Sequence, residues 1–211
     1  MAKKRERYHH GNLRPALLKA ALALIEKRGA DGWTLREVAR RAGVSHAAPY
    51  RHFKSKEALL AAVAEDGFRA LVERIDAAHA TNTGTPLERL EVEGKVLLEF
   101  ALEESPRYRI MFGPHAPPRA EFPSLAAAAE EVFRRLAAAV EICQREGVLR
   151  ADVSPVLASI TFWTSIHGLA DLLLNHQLAA FDKDPAQAAA VGRTVARLVY
   201  EGLAAPARVL P

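Results

Sequence analysis

The chain has 211 residues, half of them hydrophobic and about a quarter charged, which is enough to bury a core in one domain or two small ones and excludes a disordered tail. Its single cysteine, Cys143, excludes an intramolecular disulfide and any Cys-based zinc ladder, which fits a reducing compartment. The net charge of +4 hides a split: residues 1–56 carry 14 Lys/Arg against 4 Asp/Glu, net +10, whereas the other 155 residues carry 15 against 21, net −6. Cations gathered at one end suit neutralisation of a polyanion, with a solvated basic face as the plainer reading.

The first residues are basic, with Lys3, Lys4, Arg5 and Arg7, and run into His9-His10-Gly11-Asn12 rather than an apolar stretch. A signal peptide is therefore not expected, no apolar run reaches membrane-spanning length, and the expectation is a cytoplasmic protein without a membrane partner. The arm reads equally as a segment lying along or in a DNA groove and as a solubilising extension. Ala, Leu, Arg and Glu dominate and β-branched residues are scattered, so the fold class is all-α. About nine helices are predicted, at roughly 12–28, 35–42, 46–53, 56–80, 86–103, 106–112, 124–146, 155–177 and 185–204. Thr85-Pro86, Ser105-Pro106, Ser154-Pro155 and Asp184-Pro185 each put a capping side chain before a proline at the first helical position. Phe122-Pro123-Ser124 is a weaker start, Gly29, Gly43 and Gly147 mark stops, and Gly113 to Arg119, with three prolines, is the longest irregular loop.

The second helix opens on Thr34-Leu35-Arg36-Glu37, a capping box. Leu35, Val38, Ala39 and Ala42 then form an apolar face, Gly43 allows a left-handed turn, Val44 plugs the corner and Ser45 can cap the next helix. This is the pattern of a helix-turn-helix. Pro49 falls near the start of the second helix, where it deletes only one intrahelical bond and biases Ala48 away from helical angles. The expected result is a distorted or 3₁₀-like tip, regular only from Pro49 to Phe53, on which short Ala47 and Ala48 let the backbone and His46 approach base edges. His46 and His52 lie on opposite sides of a helix and share no metal; His9-His10 is either a metal pair or part of a flexible arm.

The run TLREVARRAGVSHAAPYRHFKSKEALL, within a match from Asn12 to Leu60, is similar to the DNA-binding domain of the TetR family of bacterial transcriptional regulators. The resemblance implies a homeodomain-like DNA-binding head at residues 1–56 and an effector-binding and dimerisation body, a helical bundle, at 57–211. It implies Ser45, His46, Ala47 and Ala48 in the major groove and Tyr50 and His52 on phosphates. Lys56 would contact the backbone, Thr34 and Arg36 would add phosphate contacts, and Arg51 and Lys54 complete the DNA-facing set. Pro49 departs from the family, which usually has leucine there.

In the body, VLASITFWTSIHGLADLLL is apolar almost all round and needs covering on every side. Gly192, Ala196 and Val199 form a small stripe on the last helix that permits close packing. The resemblance implies that the last two helices pair with their copies in a four-helix dimer bundle; burial within one chain is the competing reading. Trp163, His167 and Asp171 share a face, and WTSIHG resembles the Trp-His-Gly motif of a C-terminal subgroup of TetR-like regulators. His167 with Asp171 reads as a ligand contact, as a structural pair, or as a dyad for which no nucleophile has an evident place. By the resemblance an effector cavity would draw on Leu97, Phe100, Tyr108, Met111, Phe112, Phe133, Trp163 and His167, and apolar walls with few polar groups suit a lipophilic or acyl-bearing ligand. Cys143 follows Phe133, Leu136 and Val140 at helical spacing and reads as core.

The expectation is a homodimeric repressor, with no enzyme activity and no cofactor, that binds a palindromic double-stranded operator and is released by a small effector. The rivals are a small His- or metal-dependent enzyme with a basic surface and a non-specific architectural DNA binder.

Overall fold

The computed structural model describes residues 13–82, 84–178, 180–181 and 184–205; the basic arm with Lys3, Lys4, Arg5, Arg7, His9 and His10 lies outside them. The described residues form eight α-helices and two 3₁₀ turns. The order is α1 (Leu13–Arg28), α2 (Leu35–Arg41), a 3₁₀ turn (Pro49–Arg51), α3 (Lys56–Thr81), α4 (Pro86–Glu103) and α5 (Ser105–Phe112), then a 3₁₀ turn (Arg119–Glu121), α6 (Pro123–Arg145), α7 (Pro155–Leu174) and α8 (Pro185–Leu203).

The local signals act as the sequence suggests. Thr34 and Thr85 each close a capping box, with Glu37 and Glu88, and Ser154 and Asp184 cap α7 and α8. Gly29, Gly43 and Gly147 take φ of +72°, +70° and +71°, the left-handed angles that end a helix. Ser105 is not a cap: it lies inside α5, whose N-cap is Glu104 with no side-chain bond. Ser55, whose hydroxyl accepts from the Ala58 N–H at 3.0 Å, starts α3 instead. The helix expected to reach 177 ends at Leu174, and His176 follows at φ 55°.

The segment 46–53 is no full helix but the distorted, 3₁₀-like tip that Pro49 implies, with corrections at Ser45 and Ala48. The Ala48 N–H takes the Ser45 carbonyl at 3.0 Å, the Arg51 N–H takes that of Ala48 at 3.3 Å, and the His52 N–H takes that of Pro49 at 2.9 Å. These three bonds span three residues, and one four-residue bond, from the Phe53 N–H to the Pro49 carbonyl at 2.9 Å, closes a single regular turn from Pro49 to Phe53. Ser45 offers no side-chain cap to the 3₁₀ turn, and Ala48 keeps helical angles of −62° and −42° rather than moving to extended ones. Pro49 itself is buried. Its ring contributes apolar surface to the corner, which offsets the missing N–H.

The 26-residue α3 joins the two halves. Its first turns bury Leu59, Leu60 and Val63 against Leu17, Val38 and Phe53, and further along Phe68, Leu71 and Ile75 enter the same continuous core among α4, α5 and α6. A smaller cluster holds Leu90, Val140, Cys143, Phe162 and Tyr200. Cys143 is fully buried, and burial pushes its thiol up to about 11, so it is core. Bonds from the Arg150 N–H to Leu203 and from the Ala205 N–H to Val148 tie the α6–α7 loop to the end of α8. Contrary to expectation, α7 is long and apolar enough to cross a membrane by length and composition. It packs against α4, α6 and α8.

Candidate DNA-binding surface and effector chamber

The head presents its polar positions outward. Thr34, Arg36, Ser45, His46, Ala47, Tyr50, Arg51, His52 and Lys54 are exposed, and Ala48 is half-buried. Tyr50 is 52% exposed, too open for a core aromatic. The Thr34 hydroxyl is engaged at Glu37, accepting its N–H at 3.3 Å and donating to its carboxylate at 3.1 Å. The Arg28 guanidinium, 2.7 Å from Glu37, and the Thr34 bonds hold that carboxyl below the usual range. Lys56 is half-buried: its ammonium donates to the Asp31 carbonyl at 2.9 Å and lies 4.6 Å from the Trp33 ring centroid. It braces the α1–α2 corner as well as carrying charge.

In the body, a small, mostly apolar chamber of about 40 Å³, open on one side, sits among α3, α4, α6, α7 and α8. Its walls include Leu71, Leu97, Val132, Phe162, Trp163 and Ile166, with Glu93 and Tyr200 as its titratable groups. Of the residues expected to line a cavity, Leu97 and Trp163 do so. Tyr108, Phe112 and His167 instead line a separate cleft of about 890 Å³ between α1, α5 and α7. Phe100 and Met111 are core, 0% and 1% exposed, and Phe133 packs edge-on against Trp163 at 5.8 Å. Glu93 and Tyr200 went unrecognised in the sequence. The signal was there: Glu93 falls between Leu90 and Leu97 on the apolar stripe of α4.

An aromatic cluster separates chamber from cleft. His167 lies 4.4 Å from Trp163, 4.3 Å from Phe112 and 5.6 Å from Tyr108, centroid to centroid. The expected His167–Asp171 pair is not formed. The Tyr108 hydroxyl is 2.6 Å from His167 Nδ1, while Asp171 accepts from the Asn175 amide at 2.9 Å. Burial, then the charge of Arg119, lowers His167 to about 4, so the ring is neutral near pH 7. Burial also raises Tyr108 well above its ordinary value, so both partners of the bond are neutral, and His167 Nε2 is buried without a partner. Among the described residues no three His, Cys, Asp or Glu side chains gather as a metal would require.

The outer face of α7 exposes Val156, Leu157, Ile160 and Leu172, and α8 adds Leu198. The Thr161 and Thr164 hydroxyls donate to carbonyls one turn back, at 2.9 and 2.8 Å, which leaves methyls outward. Gly168 on this face has open space at its Cβ position. The small stripe of α8 faces inward instead: a Cβ on Gly192 meets Leu98 of α4, and Ala196 and Val199 wall the chamber.

Comparison with known proteins agrees with this architecture. The family model for bacterial regulatory proteins of the tetR family matches residues 17–63, and that for the tetracyclin repressor-like C-terminal domain matches 93–198. The tetracycline repressor class A of Escherichia coli is 49% identical over 49 residues, 23% of each chain. The nucleoid occlusion factor SlmA of Vibrio vulnificus is 36% identical over 103 residues, 48% of this chain and 52% of its own. The matches thus span from about a quarter to about half the length of these curated relatives. A solved structure of a protein of unknown function from Rhodococcus sp. RHA1 superposes with a TM-score of 0.81 at 30% identity, over 95% of this chain and 100% of that one. The ketosteroid transcriptional regulator KstR2 of Mycobacterium tuberculosis shares the fold, with a TM-score of 0.68 at 21% identity over 95% of this chain and 99% of its own. With both its head and its body matched, the chain belongs to the TetR family of bacterial DNA-binding transcriptional regulators.

Proposed function

We propose that the chain is a ligand-responsive repressor that binds a palindromic operator as a homodimer in the cytoplasm, where its DNA lies, and leaves it when a small lipophilic effector enters the body. The observation that carries this reading is the union, through one helix and one continuous core, of a basic helix-turn-helix with an apolar chamber. Ser45, His46, Ala47 and Ala48 face the bases, and Thr34, Arg36, Tyr50, Arg51, His52, Lys54 and Lys56 supply phosphate contacts. The tight-turn form of 45–51 brings backbone rather than long side chains to the groove floor.

A second copy covers the outer face of α7 and α8, where apolar side chains, inward-turned hydroxyls and Gly168 leave a surface with little to solvate. Two heads then meet successive major grooves. The effector acts by moving Trp163, which passes strain through His167 and Phe112 to α5. From α5 the chain reaches His115, whose Nε2 is 2.8 Å from Asp31 in the head. An effector that favours one arrangement of this relay shifts the population toward a head spacing that no longer fits. Of the Trp-His-Gly residues, Trp163 and His167 belong to the relay and Gly168 to the interface.

The test is a fluorescence anisotropy titration on a palindrome selected from random DNA, at two salt concentrations. Operator binding that steepens with falling salt, and is weakened at all sequences by Tyr50→Ala but changed in base preference by His46→Ala, supports the docking. Equal affinity for selected and scrambled DNA contradicts it.

A further inference from the structure

Glu93 is the single carboxylate on the chamber wall, it is 8% exposed, and its neighbours along α4 are Leu90 and Leu97. An ionised carboxylate in apolar surroundings is costly unless a cation or several donors meet it. Here little does. Among the described residues its ion-pair partner is His79, with Nε2 at 3.5 Å from Oε1, and that nitrogen also reaches the Arg89 carbonyl at 3.2 Å. Arg135, the nearby guanidinium of α6, is bound to Glu131 and Asp76. The Ser165 hydroxyl on the chamber wall already donates to the Thr161 carbonyl at 2.7 Å. The body therefore holds a buried carboxyl met by one imidazole, with the charges of Arg135 and Arg89 acting on it through space.

We propose that the effector carries a positively charged amine on a lipophilic body and seats that amine against Glu93. This deepens the effector reading of the chamber and rests on it. A neutral alcohol or ketone adds no charge to meet the carboxylate beyond His79, and a carboxylate ligand meets a like charge, so a cation gains most from the site. The dimensions divide the ligand in two. The chamber, about 40 Å³, holds a head group of a few atoms, roughly three to four waters' worth at about 10–15 Å³ each. The cleft between α4 and α8, about 430 Å³, shares Gly94, Ile166, Ala196 and Tyr200 with the chamber wall and takes the apolar body. At that shared wall Gly94 sits against Ile166 and Tyr200, where a Cβ would lie 3.7 Å from Ile166 and 4.0 Å from the Tyr200 hydroxyl.

The groups that face Glu93 are Asp76 and His79 of α3, Arg89 of its own helix, Arg135 and Cys143 of α6, and Tyr200 of α8. Burial pushes the Glu93 carboxyl up to about 7, against the pull of Arg135 and Arg89. Amine affinity therefore rises between about pH 6 and 8 as the carboxylate forms, whereas alcohol affinity does not.

Decylamine, decanol and decanoate, alike in chain length, are titrated calorimetrically into the full chain at pH 8, and the same three into Glu93→Gln. Decylamine is expected to bind about tenfold or more tighter than decanol, and Glu93→Gln to abolish that preference while keeping decanol binding. Equal affinities for amine and alcohol in the parent, or a preference that survives Glu93→Gln, overturn the proposal. Should the variant misfold, the pH profile of the parent decides: an amine affinity flat from pH 6 to 8 overturns it, and a His79→Asn background separates the imidazole's share. Release of operator DNA is read in parallel. A Glu93-dependent amine preference without DNA release upholds the site and overturns the effector reading, and release by decanol or decanoate but not by decylamine does the reverse.

Discussion

Tyr108 of α5 and His167 of α7 are joined by a 2.6 Å hydrogen bond between residues 59 apart in the chain. The ring is neutral, stacks on Tyr108 at 19°, and is met at a tilt by Trp163 and edge-on by Phe112. Tyr108→Phe leaves Nδ1 buried and unpaired. The expected cost is about 1 to 3 kcal/mol in urea unfolding, with a shifted effector dose-response for DNA release. A variant as stable as the parent removes the bond from the account. The sign of the pH effect is set by the lowered value: stability from His167 is present above its ordinary 6.5 and is lost as pH falls toward about 4.

Glu93 gives the opposite slope. Its folded value, about 7, lies above the ordinary 4.5, so its contribution is complete below 4.5 and is lost as pH rises through 7. Glu93→Gln should therefore stabilise the chain at pH 8 by about 1 to 3 kcal/mol and change little at pH 5. Urea titrations at the two pH values check this, and a variant less stable than the parent at pH 8 contradicts it.

In the head, Tyr50 and Lys56 should separate. Tyr50→Ala is expected to weaken DNA binding without moving the melting temperature, since the ring is half exposed. Lys56→Ala removes both the Asp31 bond and the Trp33 contact and should cost about 1 kcal/mol of stability in addition to lowering the salt slope by about one unit. Identical stabilities for the two variants would discredit the bracing role.

Leu157→Glu and Gly168→Leu place charge or bulk on the outer face of α7 and should yield folded monomers in sedimentation velocity. Gly192→Leu should instead lower stability, because the added side chain meets Leu98 inside the same chain. A parent that sediments as a monomer at micromolar concentration sinks the dimer reading.

The sequence was most legible where structure is set within a few residues. Thr34 with Glu37, Thr85 with Glu88 and the three left-handed glycines act through their own turns, and the helix-turn-helix followed from them. In the segment 46–53 the 3₁₀-like tip follows from Pro49, but the Ser45 cap and the extended bias of Ala48 do not hold, because three-residue bonds and burial of the Pro49 ring outweigh them. Pairings across the bundle were not legible. Asp171 stood one turn from His167 and looked like its partner, but Tyr108, from another helix, took the place. The stripe of Gly192, Ala196 and Val199 looked like a dimer seam because spacing says which residues share a face, not which neighbour that face meets.

The most direct measurement is selection of bound duplexes from a random DNA library by the purified chain, followed by sequencing. The account predicts enrichment of an inverted repeat whose half-sites lie about one helical turn apart, roughly 10 base pairs centre to centre, as two heads on one dimer require. Enrichment of no sequence, or of a lone half-site without its inverted copy, would contradict it.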